Sequence, residues 1–254
     1  MAGGPSVCVI GAGAVGLCCA LELARRGAGP VSVLEARHPA AGSSGLSVGI
    51  LESQYLDPFD IELRVRSLGF FAALEREHGL RIVRNGYLRL GHDERAHEAF
   101  ALSVEVQREL GVLDARVLEP RQLTALVPDM LADDLSAGLF GPSDGYLDGH
   151  LYCGLLVELA RAAGVELVSG AQLLGAESLP GERLRLRTSA GERVCEIAVN
   201  AAGAWAGRVA AMLGRELALC PQRRQAAVAH LPRELSYTMP SVMDYAPGSG
   251  GPGL

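Results

Sequence analysis

Gly11, Gly13 and Gly16 stand in a G-x-G-x-x-G, with Ala12, Ala14 and Val15 between them. Glu35 follows about 20 residues after the last glycine, the separation at which an acid meets a ribose in dinucleotide sites. Each type has a task. Gly11 permits a tight turn, Gly13 lets bare backbone approach a pyrophosphate, and Gly16 lets a helix lie close to a strand. The N–H groups that open that helix, Ala14 and Val15 among them, offer partial positive charge to phosphate. Glu35 can accept hydrogen bonds from ribose hydroxyls, which suits FAD and NAD equally.

This chemistry needs strand, turn, helix and strand in series. Ser6 to Ile10 is short, apolar and rich in β-branched residues, as a doubly covered strand should be. The spacing predicts a helix over 15–26, with Leu17, Leu21 and Ala24 on one face and Gly27 as its stop. Val31 to Leu34 is a second buried strand that delivers Glu35. The loop Gly42-Ser43-Ser44-Gly45-Leu46-Ser47-Val48-Gly49-Ile50 is built of small residues that can lie flat against a ligand and donate N–H and O–H groups.

Composition narrows the function. All 23 basic residues are arginine, which removes Schiff-base lysines and a Walker-type phosphate lysine. The net charge of −6, with no basic stripe, argues against a nucleic-acid partner. The six cysteines form no C-x-x-C, and the histidines no metal-ligand spacing, so no metal site is expected. Cys8, Cys18, Cys19, Cys153 and Cys195 lie in apolar stretches as small core residues, which fits a reduced, cytoplasmic protein. No apolar run matches a membrane span, and no signal segment opens the chain.

Further along, helices are expected over 58–79, from Asp93 to 110, from Pro120 to 126, over 150–163, and after Trp205 to 213. Strands are expected around 81–83, 87–90, 165–168, 183–188, 193–199 and 225–230, with Asn85-Gly86 as a turn or bulge. The fold class is α/β: a Rossmann-type cofactor domain interleaved with an α+β layer. The boundaries are 1–80 and 146–213 for the first, and 81–145 and 214–254 for the second.

Five stretches together resemble the FAD-dependent oxidoreductases of the D-amino-acid oxidase, glycine oxidase and sarcosine oxidase group. They are Val9 to Gly16 with Glu35; Gly42 to Gly45; Asn85-Gly86-Tyr87-Leu88; Asp144 to Asp148; and Val199-Asn200-Ala201-Ala202-Gly203-Ala204-Trp205. Pro240 to Asp244 is similar to a strand of the sarcosine-oxidase-β-like branch. The resemblance implies FAD in a GR2-like Rossmann domain. It places Gly11, Gly13 and Gly16 on the pyrophosphate, and Glu35, Ala36 and Arg37 at the adenosine ribose. Ser43, Ser44 and Gly45 then run along the phosphates and ribityl chain, and Ser47, Gly49 and Ile50 approach the isoalloxazine. Leu173 would pair its backbone with adenine, and Ala202, Gly203 and Trp205 would pack near the phosphates.

The activity implied is oxidation of a small amine or amino acid by hydride transfer to flavin N5, with oxygen or another electron acceptor. Two alternatives are an NAD-dependent dehydrogenase and a non-catalytic flavoprotein of the same fold acting as an assembly factor. A carboxylate-bearing substrate would want an arginine, and Arg64, Arg66, Arg223 and Arg224 are available. No catalytic residue is nominated. Leu46 stands where many relatives have arginine, and relatives of this kind continue well past residue 254, so a C-terminally truncated chain is expected.

Overall fold

A computed structural model describes residues 4–244. In chain order the elements begin with β1 (Val7–Ile10), α1 (Ala14–Arg25), β2 (Val31–Glu35), α2 (Ser43–Leu46), β3 (Ile50–Leu51) and α3 (Pro58–His78). Next come β4 (Ile82–Val83), β5 (Tyr87–Gly91), α4 (Glu94–Glu109), β6 (Arg116–Leu118), α5 (Pro120–Leu126) and β7 (Ala137–Gly141). Then follow β8 (Gly145–Leu147), α6 (Gly149–Ala162), β9 (Glu166–Ser169), β10 (Leu173–Leu179) and β11 (Arg183–Thr188). The last are β12 (Gly191–Cys195), β13 (Ile197–Asn200), a 3-10 turn (Gly203–Trp205), α7 (Ala206–Met212) and β14 (Ser241–Asp244).

The chain forms two compact units, residues 1–48 with 148–227 and residues 49–147 with 228–254. The boundary expected at residue 80 thus falls at 48, and residues 49–80 fold with unit 2. The reason is local: Ile50 and Leu51 pair with Tyr146 and Gly145 of β8, which commits that stretch to the second unit before α3 begins.

Unit 1 holds a parallel sheet in the order β13-β1-β2-β9. β1 is buried along its whole length, consistent with its uninterrupted apolar run. Parallel neighbours need a crossover, and α1 supplies it between β1 and β2. Gly16, Leu17, Ala20 and Leu21 form the buried face of α1, and α1 packs on α6. Gly27 closes the helix region in the left-handed conformation, φ +75°. A second, antiparallel sheet, β10-β11-β12, joins the core through Leu173, Leu186 and Cys195, which meet Cys8, Ile10 and Leu34. The expected strand 193–199 is divided at Glu196, whose carboxylate accepts from the Ser6 N–H at 2.6 Å. β10 was not expected, because its alternation is broken by Gly175 and by the adjacent exposed pair Glu177 and Ser178.

Unit 2 holds the sheet β14-β5-β7-β6 and a small antiparallel sheet, β3-β8-β4. Its helices start where capping predicts. Asp57 accepts from the N–H groups of Phe59 and Asp60 ahead of α3, and Asp93 accepts from Ala96 ahead of α4. Residues 225–230 form no strand, a correction to the expected one. Val228 is 85% exposed, and no neighbouring strand among the described residues takes up the segment's N–H and C=O groups.

Candidate functional site

The glycine turn in unit 1 is defined by what side chains would strike there. Gly11 has φ +113°, and a Cβ on it would sit 2.4 Å from the Ala201 carbonyl oxygen. A Cβ on Gly16 would lie 2.0 Å from the Gly11 oxygen, so helix and strand touch through bare backbone. Gly13 is different. Its φ of −81° is ordinary, and its nearest obstacle is the Ser44 hydroxyl at 3.0 Å. No internal packing therefore demands glycine at 13, and the open side of the turn is there.

Glu35 is fixed at the mouth of this turn. One carboxylate oxygen accepts from the Ala12 N–H at 2.9 Å, and the other from the Arg37 N–H at 2.8 Å. Charge-assisted bonds of this kind preorganise the acid and leave lone pairs for two hydroxyls. Ser44 Oγ accepts from the Ala14 N–H at 3.0 Å, bringing the serine loop to the start of α1, one of whose first N–H groups it serves. That loop contains a single helical turn, α2. His150 and the Ala40 carbonyl crowd Gly45, and the Ser44 carbonyl crowds Gly149, so α6 and the loop interlock.

A cleft of about 900 Å³ opens beside the turn, lined by Arg37, Gly42, Ser43, Ser47, Trp205 and Arg208, with Arg223 and Arg224 at its edge. The Trp205 ring passes 3.6 Å from where a Gly42 Cβ would be, and is 49% exposed. Asn200 ties down its own loop, donating from its amide to the Ala206 carbonyl at 2.8 Å and accepting from the Ala202 N–H at 3.3 Å. In β1 the Cys8 thiol lies 3.1 Å from the Ser32 hydroxyl, and its neighbour Cys195 together with that hydroxyl holds its pKa below the usual thiol value.

Unit 1 brings together Gly11, Gly13, Ala14, Val15, Gly16, Glu35, Ala36, Arg37, Ser43, Ser44, Gly45, Ser47, Ala202, Gly203 and Trp205. Gly49 and Ile50 belong to unit 2. Leu173 is 5% exposed, with its side chain in the core, and it stands opposite Thr188 in the β10–β11 pair. Arg208, absent from the sequence expectations, lines the cleft; its position, one helical turn after Trp205, is the signal that could have marked it. Of the arginines considered for a carboxylate, Arg66 is bound to Glu62 at 2.6 Å on the surface of α3. Arg64 is bound to Glu52 at 3.2 Å.

Unit 2 contains a buried polar group that sequence reasoning missed. Gln54 donates to Asp144 at 2.8 Å and shares Gln107 with Ser53. Burial pushes the Asp144 carboxyl up to about 7, and the nearby Glu52 charge adds to the rise. Among the described residues no set of three or more His, Cys, Asp or Glu could hold a metal ion, and no helix is long and apolar enough to cross a membrane.

The family model described as FAD dependent oxidoreductase matches residues 6–249. Rat mitochondrial dimethylglycine dehydrogenase is 29% identical over 225 residues, 87% of this chain and 26% of that protein. Mouse mitochondrial sarcosine dehydrogenase is 26% identical over 248 residues, 94% of this chain and 27% of that protein. The crystal structure of L-proline dehydrogenase from P. horikoshii superposes with a TM-score of 0.75 at 27% identity, covering 84% of this chain and 57% of that one. The chain thus spans about a quarter of the length of these two curated relatives. FAD is the cofactor of the matching family.

Proposed function

The chain belongs to the FAD-dependent oxidoreductase family, and on that premise we propose that it oxidises a small amine or amino acid at the carbon bonded to nitrogen. The observation that carries the reading is the bare-backbone turn at Gly11, Gly13 and Gly16 with Glu35 pinned at its mouth. These residues fit FAD: the diphosphate would lie over Gly13 and the N–H groups that open α1, and the adenosine ribose against Glu35. Ser43, Ser44 and Gly45 would follow the phosphates, with Ala36 and Arg37 at the ribose. Within unit 1, Ala202, Gly203 and Trp205 would close the far side, with Ser47 toward the ring and Leu173 toward adenine.

Bound FAD would supply, at flavin N5, the acceptor for a hydride. The protein's share is to bind the amine, keep its nitrogen lone pair available and exclude water from the reacting carbon. Dimethylglycine, sarcosine and L-proline, which name the relatives above, share an amine nitrogen next to an oxidisable carbon. That common chemistry supports the substrate class.

Anaerobic titration of the FAD-loaded protein with sarcosine, dimethylglycine, glycine, L-proline and D-amino acids tests the reading. Loss of the oxidised flavin absorbance with at least one amine is expected. A flavin that no amine bleaches would instead support a non-catalytic role. A protein that takes NAD and not FAD would support the nicotinamide alternative.

A further inference from the structure

Unit 2 places a carboxylate, an aromatic face and an exchangeable cation together. Glu52 follows β3, and its side chain is 6% exposed. One of its oxygens meets the Arg64 guanidinium at 3.2 Å, while Oε2 is buried without a hydrogen-bond partner among the described residues. The Arg64 guanidinium carbon lies 3.5 Å from the centre of the Tyr55 ring. Arg64 Nε is also buried and unpartnered among the described residues. Carboxylate plus ring face is the pairing that recognises organic cations.

The two neighbouring arginines differ. Arg89 is 9% exposed, donates to the Gln54 carbonyl at 3.1 Å and lies 5.7 Å from the Tyr55 ring, so it is built into the unit. The Arg64 side chain is 34% exposed and springs from a surface of α3, so it can swing into water on its flexible stem. A buried carboxylate with a vacant oxygen is costly, and it calls for a further donor.

We propose that Glu52 and the Tyr55 ring form a cation-recognition site for the ammonium or methylammonium group of a small amine, with the Arg64 guanidinium holding that place until the ligand displaces it. An amine N–H has a donor to give to Oε2 that Arg64 leaves unserved. A methylated nitrogen spreads its charge over groups that suit a ring face. This deepens the amine reading above and rests on it for the ligand's class, but the site and its test do not involve FAD. It also reassigns Arg64, which serves as a tethered competitor for a cation and not as a carboxylate receptor.

The test is binding of methylammonium and dimethylammonium, both of which keep N–H donors, measured by calorimetry on the full chain against sodium chloride at equal ionic strength. Arg64→Ala should bind them roughly tenfold or more tighter than the unaltered protein, the signature of a removed competitor. The double variant Glu52→Gln/Arg64→Ala should lose that gain. No gain in Arg64→Ala, a gain that survives Glu52→Gln, or saturable binding of acetate in place of the cations overturns the proposal.

Removing Arg64 leaves Glu52 without its counter-charge, so the unaltered protein is titrated as well, with ring-labelled tyrosine followed by NMR and Tyr55 assigned through Tyr55→Phe. A saturable methylammonium shift of the Tyr55 signal is expected. A shift no larger than that from sodium chloride overturns the proposal even if Arg64→Ala does not fold. Cation binding combined with a flavin that no amine bleaches would leave this site standing and remove the oxidase reading.

Discussion

Two alanine substitutions, at Gly16 and at Gly13, separate packing from ligand contact. At Gly16 the new Cβ would lie 2.0 Å from the Gly11 oxygen, a backbone atom that cannot rotate away. Overpacking of this kind costs about 1–3 kcal/mol, against which alanine gains up to about 1 kcal/mol over glycine inside a helix. With the full alanine gain the net loss is at most about 2 kcal/mol, a fall of up to roughly 8 °C in the unfolding midpoint. At Gly13 the Cβ meets only the Ser44 hydroxyl at 3.0 Å, which can rotate, and φ is −81°. The cofactor-free protein should lose at most about 1 kcal/mol there, the difference between glycine and alanine at a helix N-cap. With FAD the ranking changes. Gly13→Ala should weaken FAD at least roughly tenfold, about 1.4 kcal/mol, because the methyl group stands where the diphosphate must lie. Circular dichroism melts with and without FAD read both effects. Equal lowering of the cofactor-free midpoint by Gly13→Ala and Gly16→Ala, with FAD retained by Gly13→Ala, would refute this separation.

Other outcomes follow from the same geometry. Asp144 has a folded-state pKa of about 7, raised from 3.8, so its folded form holds a proton that the unfolded chain has already released. That contribution to stability is fully present below about 4 and is lost as pH rises to about 7. Asp144→Asn should flatten this slope and raise the melting midpoint at pH 8 more than at pH 5; equal shifts at both pH values would contradict the assignment. His92 sits 2.8 Å from Asp244, a hydrogen bond that raises its pKa. Its contribution is present below about 6.5, the unfolded histidine value, and lost above the raised folded value. His92→Ala should therefore destabilise more at pH 6 than at pH 9, by melting at each pH. Ser44→Ala removes the acceptor of the Ala14 N–H and should cost about 1 kcal/mol in chemical denaturation; no change would place that bond among those water replaces freely.

The opening of unit 1 was legible because its signals are local. β1, the glycines, α1, β2 and Glu35 are adjacent in the chain, and each glycine's task follows from having no Cβ. The helix start at Asp93 was legible for the same reason, since a cap acts within four residues. What sequence reading lost was set by distant partners. Residues 49–80 belong to unit 2 because Ile50 pairs with Tyr146, far along the chain. Residues 225–230 have strand-like composition, yet composition supplies no neighbour to pair with. Glu52, Tyr55 and Arg64 look like an ordinary loop and a helix face, and only folding brings the carboxylate, ring and guanidinium together. Arg64, considered as a carboxylate receptor, already has a carboxylate.

The central claim is that the Gly11–Gly16 turn and Glu35 hold the dinucleotide of FAD. Trp205, the sole tryptophan, lines the adjoining cleft, so its emission reports binding directly. Titration with FAD should quench it saturably, Gly13→Ala should shift that curve roughly tenfold to higher concentration, and NAD should leave it unchanged. FAD curves that are the same for the unaltered protein and Gly13→Ala, or saturation by NAD alone, would contradict the account.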